Sequence, residues 1–337
     1  MTVFFKKLLK KAAAPLCIIL AAVLCISCVG CSGSSGDDSR TLMTAGGYEV
    51  SYDVVRYVVM NLKKDGITEE GELRERTLAA IRDIYAVFSL GSDYGMEFDD
   101  EYIASLASQS ADSAVKELGG KKAFKKSLKE NYMTDSVYIL MAKKDALRDE
   151  IMRSMISVGD IETDEEKLRG IIESDEFIRV KQILITSESA ATTDDGVYIL
   201  NGKTHTEEEA KALAAEAQEK AAAGEDFDAL VAEYGQSFYM FGNTDGYYIC
   251  RGMWDSINEN AAFALNVGEV SGVIESDVGY SVFKRYEKSG DYIDSHFDEI
   301  CTNWYNACYV TALEEKAAFT DIETGEEFDG MSLADME

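Results

Sequence analysis

The sequence predicts an α+β chain in which one compact mixed domain is inserted into an all-helical domain built from N- and C-terminal segments. Three observations carry this. Residues 44–160 place apolar side chains at helical spacing, and no strand pattern competes. Residues 175–287 then alternate strand-like and helical stretches. The final stretch, DYIDSHFDEICTNWYNACYVTALEEKAAF, returns to helical spacing.

At the N-terminus, MTVFFKKLLKKAAAPLCIILAAVLCISC joins a basic n-region to an apolar run of about 15 residues, too short for a comfortable membrane span. It ends in CVGCSGSSGDDS. A small Gly30 before Cys31, followed by a Gly/Ser-rich run, is similar to a bacterial lipobox with its tether. Residues 1–30 are read as a signal peptide and Cys31 as the lipidated residue. Cys28 stands where Leu is usual and, preceded by Ser27, is the alternative. An uncleaved anchor helix is the competing reading. Both place the body outside the cytoplasm, held to a membrane. Residues 31–43 are expected to be a flexible linker.

MTAGGYEVSYDVVRYVVMNLKK reads as a short extended piece and a helix capped near Ser51, with Val54, Val55, Val58, Val59 and Leu62 on one stripe. A second helix opens at Thr68, with Leu73, Leu78, Ile81, Ile84, Tyr85 and Phe88 apolar, and Gly91 and Gly95 are expected to break it. Further helices run over about 99–117 and 121–155, separated by Gly119-Gly120, with an internal break near Asn131–Thr134. TDEEKLRGIIES gives a short helix leading into RVKQILIT, a buried strand with Gln182 as its polar misfit. A hairpin turning at Asn201-Gly202 follows. Thr206 and Glu209 are spaced as a capping box for the next helix, and GEDFDALVAEYG forms a shorter one. DGYYIC, ENAAFALNVGEV and SGVIESDVGYSVFKRYE complete a strand, helix, strand, strand series. The last helix carries an apolar stripe of Ile293, Phe297, Ile300, Trp304, Ala307 and Cys308, for which the N-terminal helices are the expected partner. Residues 321–337 are expected to be an acidic tail.

Composition narrows the function. With 337 residues, 46% hydrophobic and 28% charged, the chain is globular and long enough for two domains. A net charge of −29 argues against a nucleic-acid partner, which needs clustered Lys and Arg. Two histidines without ligand spacing give no support for a zinc site, and no metal or cofactor is expected. No phosphate loop, dinucleotide fingerprint or Ser–His–Asp arrangement appears. Beyond Cys31 only Cys250, Cys301 and Cys308 remain. Cys301 and Cys308 on one helix lie about 10 Å apart along its axis, beyond a disulfide's reach, so buried free thiols are expected.

VKQILIT, EEEAKALAAEAQEKAAAGEDFDALVAEYG, DGYYICRGM and NAAFALNVGEVSGVIESDVGYSVFKR together resemble a parvulin-type peptidyl-prolyl isomerase domain. The helical flanks and lipobox resemble extracytoplasmic foldase lipoproteins of the PrsA type in Gram-positive bacteria. The resemblance implies a parvulin-like four-stranded antiparallel sheet with helices at residues 175–288. It also implies a chaperone-like helical domain from residues 44–174 and 289–320.

Parvulins share an apolar pocket beside a polar cluster of two His and an Asp or Cys. By position in this cluster, the first-strand His falls on Gln182, the Asp/Cys on Ser237 or Gln236, and the last-strand His on Ser281. Met253 keeps the pocket Met, Ile257 replaces the pocket Phe, and the pocket Leu falls on Asp245. Tyr247, Tyr248 and Phe263 are the further candidates for the proline pocket.

Gln and Ser both donate and accept hydrogen bonds but do not titrate near neutral pH. Amide rotation has no obvious need of proton transfer, so loss of the His pair weakens catalysis without logically removing it. The resemblance therefore implies a membrane-anchored extracytoplasmic folding factor for unfolded or partly folded secreted polypeptides, with catalysis intact or degenerate, and with room for a homodimer through the helical domain. The alternatives are a non-catalytic holdase and a solute-binding lipoprotein. The last is disfavoured because one small mixed sheet does not supply two α/β lobes.

Overall fold

The computed structural model describes residues 38–187, 205–237, 240, 245–277 and 279–337. The expected signal peptide, Cys28, Cys31, most of the linker and the Asn201-Gly202 turn lie outside the described residues. The chain divides into two compact units, whose described parts are 38–161 with 312–337, and 162–311.

The first unit is mainly helical. Helices α1 (Tyr52–Lys64), α2 (Glu70–Asp93), α3 (Glu101–Glu117), α4 (Lys121–Glu130) and α5 (Asp135–Val158) follow the apolar spacing. Their starts are chemical: the Asp100 carboxylate accepts the amides of Tyr102 and Ile103, and Thr134 caps α5 through Val137 N. Gly159 in the left-handed region (φ 90°) ends α5. The interruption at 131–134 falls where it was expected, between α4 and α5.

Gly91 does not break α2. It is buried inside the helix, and an added Cβ would meet Leu147 Cδ2 at 3.2 Å, so the glycine permits a close helix crossing. The turn comes at Gly95 instead (φ 75°).

The expectation of an all-helical unit also misses a small sheet. Strands β1 (Thr41–Ala45) and β2 (Tyr48–Ser51) form a hairpin whose two turn residues, Gly46 and Gly47, both have positive φ. Strand β7 (Ile322–Thr324) pairs antiparallel with β1, giving the order β2-β1-β7. The supposed acidic tail thus supplies β7 and a short helix α11 (Glu326–Gly330), and buries Phe328, Leu333 and Met336.

The second unit carries the mixed domain. Strands β3 (Phe177–Ile185), β4 (Tyr247–Cys250), β5 (Ile274–Ser276) and β6 (Gly279–Tyr286) form an antiparallel sheet in the order β4-β3-β6-β5. On one face Ile183, Ile185, Tyr280 and Val282 meet helices α7 (Glu207–Ala222) and α8 (Phe227–Tyr234). Helix α7 presents Ala210, Ala214, Ala217 and Ala221, one small side chain per turn, so its backbone approaches the sheet closely. The Thr206–Glu209 capping box forms as the spacing requires. The other face holds Ile178, Val180, Ile249 and Phe283 under helix α9 (Ser256–Phe263).

The borders at 161/162 and 311/312 enclose more than residues 175–288. Helix α6 (Glu165–Glu173) and the part of α10 (Gly290–Ala318) up to residue 311 bury Leu168, Ile172, Ile293, Ile300 and Ala307 against Phe177, Tyr248 and Cys250. The apolar stripe of the last helix therefore finds its partner in the mixed unit, where the sequence pointed to the N-terminal helices. Cys250, Cys301 and Cys308 are free thiols, the last half-buried.

Candidate functional site

The sheet face beneath α9 brings Gln182 and Ser281 together. In the ladder Gln182 stands opposite Phe283 and Leu184 opposite Ser281, so Gln182 and Ser281 are diagonal neighbours on one face. A diagonal gap needs a long side chain, and the Gln182 amide reaches across it: Nε2 donates to Ser281 Oγ at 2.9 Å. Ser281 is fully buried and Gln182 is 9% exposed. The Gln182 amide oxygen makes no further hydrogen bond among the described residues, which leaves acceptor capacity at the edge of the pair.

Ser237 is not joined to this pair. Its Oγ lies 2.9 Å from Tyr247 Oη, and the two hydroxyls share a hydrogen bond. Gln236, the alternative candidate, ties the end of β3 instead: its Oε1 accepts from Thr186 N at 2.7 Å and from Thr186 Oγ1 at 3.3 Å.

The pocket candidates separate. The Tyr247 ring meets Trp254 edge-on at 5.2 Å, and Trp254 stacks on Phe283 at 5.5 Å, next along the ladder from the Gln182–Ser281 pair. Met253 packs against this apolar floor and accepts the Cys250 amide with its Sδ at 3.3 Å. Phe263 also packs on the Ile178–Val180 face, under the Arg251 guanidinium at 4.2 Å. Ile257 is 55% exposed on α9 and adds nothing to the floor.

Tyr248 belongs to the other side. Consecutive strand residues point to opposite faces, and Tyr248 packs with Phe177 and stacks on Tyr292 at 4.7 Å. Its hydroxyl accepts Ser289 N at 2.8 Å and donates to Asp245 Oδ2, and burial with the Asp245 charge pushes its pKa up to about 12. Asp245 itself is held by Arg179 at 2.8 Å. Trp254, which covers Phe283, is the member of the floor that the sequence reading missed. Its signal was present, since it follows Met253 directly and is one of two tryptophans in the chain.

The pair itself contains no titratable side chain. A separate cleft of 440 Å³ is lined by Asp175, Phe263, Asn266, Val267 and Arg285. It shares only Phe263 with the candidates, and the polar pair is not in its wall. His296 stacks on Tyr292 at 3.9 Å, and no group of His, Cys, Asp and Glu suited to a metal occurs among the described residues. Among those residues, too, no helix is long and apolar enough to cross a membrane.

Residues 192–287 match the rotamase family described as the PPIC-type PPIASE domain. The foldase protein PrsA of Bacillus subtilis (strain 168) is 35% identical over 85 residues, 25% of this chain and 29% of that protein. The foldase protein PrsA of Staphylococcus aureus (strain MRSA252) is 27% identical over 171 residues, 50% of this chain and 48% of that protein. The chain thus spans half or less of the length of these curated relatives. A crystal structure of foldase protein PrsA from Streptococcus pneumoniae str. Canada MDR_19A aligns with 83% of this chain and 92% of its own, at 17% identity and a TM-score of 0.33. Residues 192–287 are thus similar to a PPIC-type rotamase domain, and the chain is similar over part of its length to PrsA foldases.

Proposed function

We propose that the chain is an extracytoplasmic folding factor whose parvulin-type unit binds proline-containing segments of unfolded secreted polypeptides and accelerates X–Pro isomerisation weakly. The observation that carries this is the Gln182–Ser281 hydrogen bond set against the apolar floor of Phe283, Trp254 and Met253. An X–Pro bond rotates over a barrier of about 18–20 kcal/mol. A planar amide is more dipolar than a twisted one, so an apolar floor that displaces water favours the twisted state over the planar one. The neutral Gln182–Ser281 pair orients the peptide by hydrogen bonds and contributes no charge, which is why the acceleration is weak.

The absence of any titratable group in the pair favours one second reading, a non-catalytic holdase in which the same face only binds peptide. Exchange spectroscopy of an Ala-Pro test peptide separates the two. Faster cis/trans exchange, reduced by Trp254→Ala, supports the isomerase. Suppressed aggregation of a denatured client with exchange unchanged supports the holdase and overturns the catalytic reading. Gln182→His with Ser281→His restores imidazoles at the two strand positions and is expected to raise exchange. A folded, inert double variant argues that the site lacks the geometry for catalysis.

The anchoring reading rests on the sequence alone. Lipid at Cys31, or at Cys28, in a Gram-positive membrane is tested by mass spectrometry of the mature N-terminus, with Cys31→Ser abolishing the modification if Cys31 carries it.

A further inference from the structure

Helix α4, KKAFKKSLKE, has two unlike sides. Phe124 and Leu128 are 0% and 5% exposed and pack with Ala107, Ala111, Ala114 and Tyr138, the Phe124 ring meeting Tyr138 edge-on at 5.6 Å. Lys121, Lys122, Lys125, Lys126 and Lys129 are all exposed, and spacings of three and four residues hold them on one side. Lys116, in the last turn of α3, is exposed as well. Among the described residues Lys125 pairs with Asp135 and Lys126 with Glu130 at 3.3 Å, while Lys116, Lys121, Lys122 and Lys129 make no ion pair.

Packing does not ask for this face. Like charges four apart on a helix repel, and α4 carries three such pairs: Lys121 with Lys125, Lys122 with Lys126, and Lys125 with Lys129. Any solvated residues opposite Phe124 and Leu128 would serve the core equally well. A repulsive lysine face, kept in a chain of net charge −29, is a surface suited to an anion outside the chain.

The turn that leads into α4 adds an apolar tip. Leu118 is 39% exposed between Lys116 and Lys121. Gly119 and Gly120 follow, both with positive φ (84° and 114°), and a Cβ on either would meet nothing within 4 Å, so the turn stands open to solvent. A soluble polyanion has a use for the lysines and none for Leu118. An anionic phospholipid surface takes both: headgroup phosphates meet the lysines, and the acyl boundary beneath accepts the leucine. Charge at such a surface acts over about 8 Å at physiological ionic strength, so the face that touches it decides the sign, not the charge of the whole chain. Each lysine in range strengthens binding about fivefold, and the flanking Glu117 and Glu130 reduce the sum.

We propose that the lysine face of α4, with Leu118 at its tip, is a docking surface for an anionic phospholipid membrane. The inference rests on the reading that the chain is held to a membrane, where this surface supplies the second of the two signals that stable attachment needs. It is independent of chemistry at Gln182 and Ser281.

The test acylates lysines of the full chain with a water-soluble N-hydroxysuccinimide ester and reads each site by peptide mass spectrometry. The chain is mixed with vesicles of phosphatidylcholine, or of phosphatidylcholine with phosphatidylglycerol. Lys121 and Lys122 are expected to react about tenfold more slowly on the phosphatidylglycerol vesicles, and high salt should abolish the difference. Lys167 and Lys211, whose side chains are 69% and 64% exposed, should react equally on both. Leu118→Ser should weaken the protection, and Lys121→Glu/Lys122→Glu should remove it from Lys116 and Lys129. These positions are all exposed, and the parent chain decides the matter without them.

Protection that Leu118→Ser leaves unchanged and that soluble polyphosphate reproduces would assign the face to a soluble polyanion and overturn the proposal. A chain bound to both kinds of vesicle with its lysines equally reactive overturns the docking surface and leaves the N-terminal tether standing. Binding to phosphatidylglycerol vesicles alone, with Lys121 and Lys122 protected, supports the surface and refutes the tether. No binding to either overturns both.

Discussion

Ser281→Ala removes the acceptor of the Gln182 amide and leaves Nε2 unpaired in a site that water scarcely reaches. Leaving a buried donor unsatisfied costs about 1–3 kcal/mol, whereas replacing both partners by apolar groups is close to neutral. Ser281→Ala should therefore be the more costly change, and Gln182→Leu/Ser281→Ala should recover most of the loss. For a unit of this size, 1 kcal/mol moves Tm by about 2–4 °C. Both tryptophans, Trp254 and Trp304, lie in the 162–311 unit, so intrinsic fluorescence follows its unfolding separately from the helical unit. A double-mutant cycle then yields the coupling directly, expected at about 1 kcal/mol or more. Equal losses in the single and double variants would show that Gln182 does not depend on Ser281, and the polar pair would cease to be a unit.

Other consequences are as direct. Gly279 has φ +116°, and a Cβ there would sit 2.5 Å from Ile185 O and 3.0 Å from Thr186 Cα, so Gly279→Ala should lower stability by about 1–3 kcal/mol from backbone strain alone, read by urea titration. The Ala334 amide, foremost, holds the Glu70 carboxyl below its usual range. Its folded pKa is below the unfolded one, so its contribution is full above the ordinary carboxylate pKa and is lost as pH falls through the depressed value. Protection of the Leu333 and Ala334 amides, relative to their intrinsic exchange, should accordingly fall as pH drops through the depressed Glu70 value, and Glu70→Gln should lower that protection at every pH. Burial pushes the Cys301 and Cys308 thiols up to about 11 and raises Cys250 further. All three should resist a thiol reagent at pH 8 until the chain unfolds, as peptide mass spectrometry can follow.

The approach of Gln182 to Ser281 was legible, whatever its role, because strand periodicity places both on one face. Gln182 and Ser281 sit at fixed registers of two adjacent strands, so their approach follows from the ladder. Ser237 lies between elements, and no register fixes where its hydroxyl turns; only the fold sent it to Tyr247. Tyr247 and Tyr248 could have been separated from sequence alone, since neighbours in a strand cannot share a face.

What the sequence by itself determined is local: helix starts at Asp100, Thr134 and Thr206, the alanine stripe of α7, and the four strands of the mixed unit. Capping, periodicity and turn chemistry act over a few residues, and so they can be read one stretch at a time. The tertiary structure alone decided which apolar stripe meets which. The last helix pattern says only that Ile293, Ile300 and Ala307 must be buried, and many faces would satisfy it; the fold buries them against Phe177 and Tyr248. Gly91 stays helical because Leu147 needs the space beside it, and the acidic stretch after residue 320 is held by carbonyls and amides that every residue carries. Burial is non-directional and main-chain hydrogen bonds are blind to side chain, so neither kind of partner is written in the residues that take part.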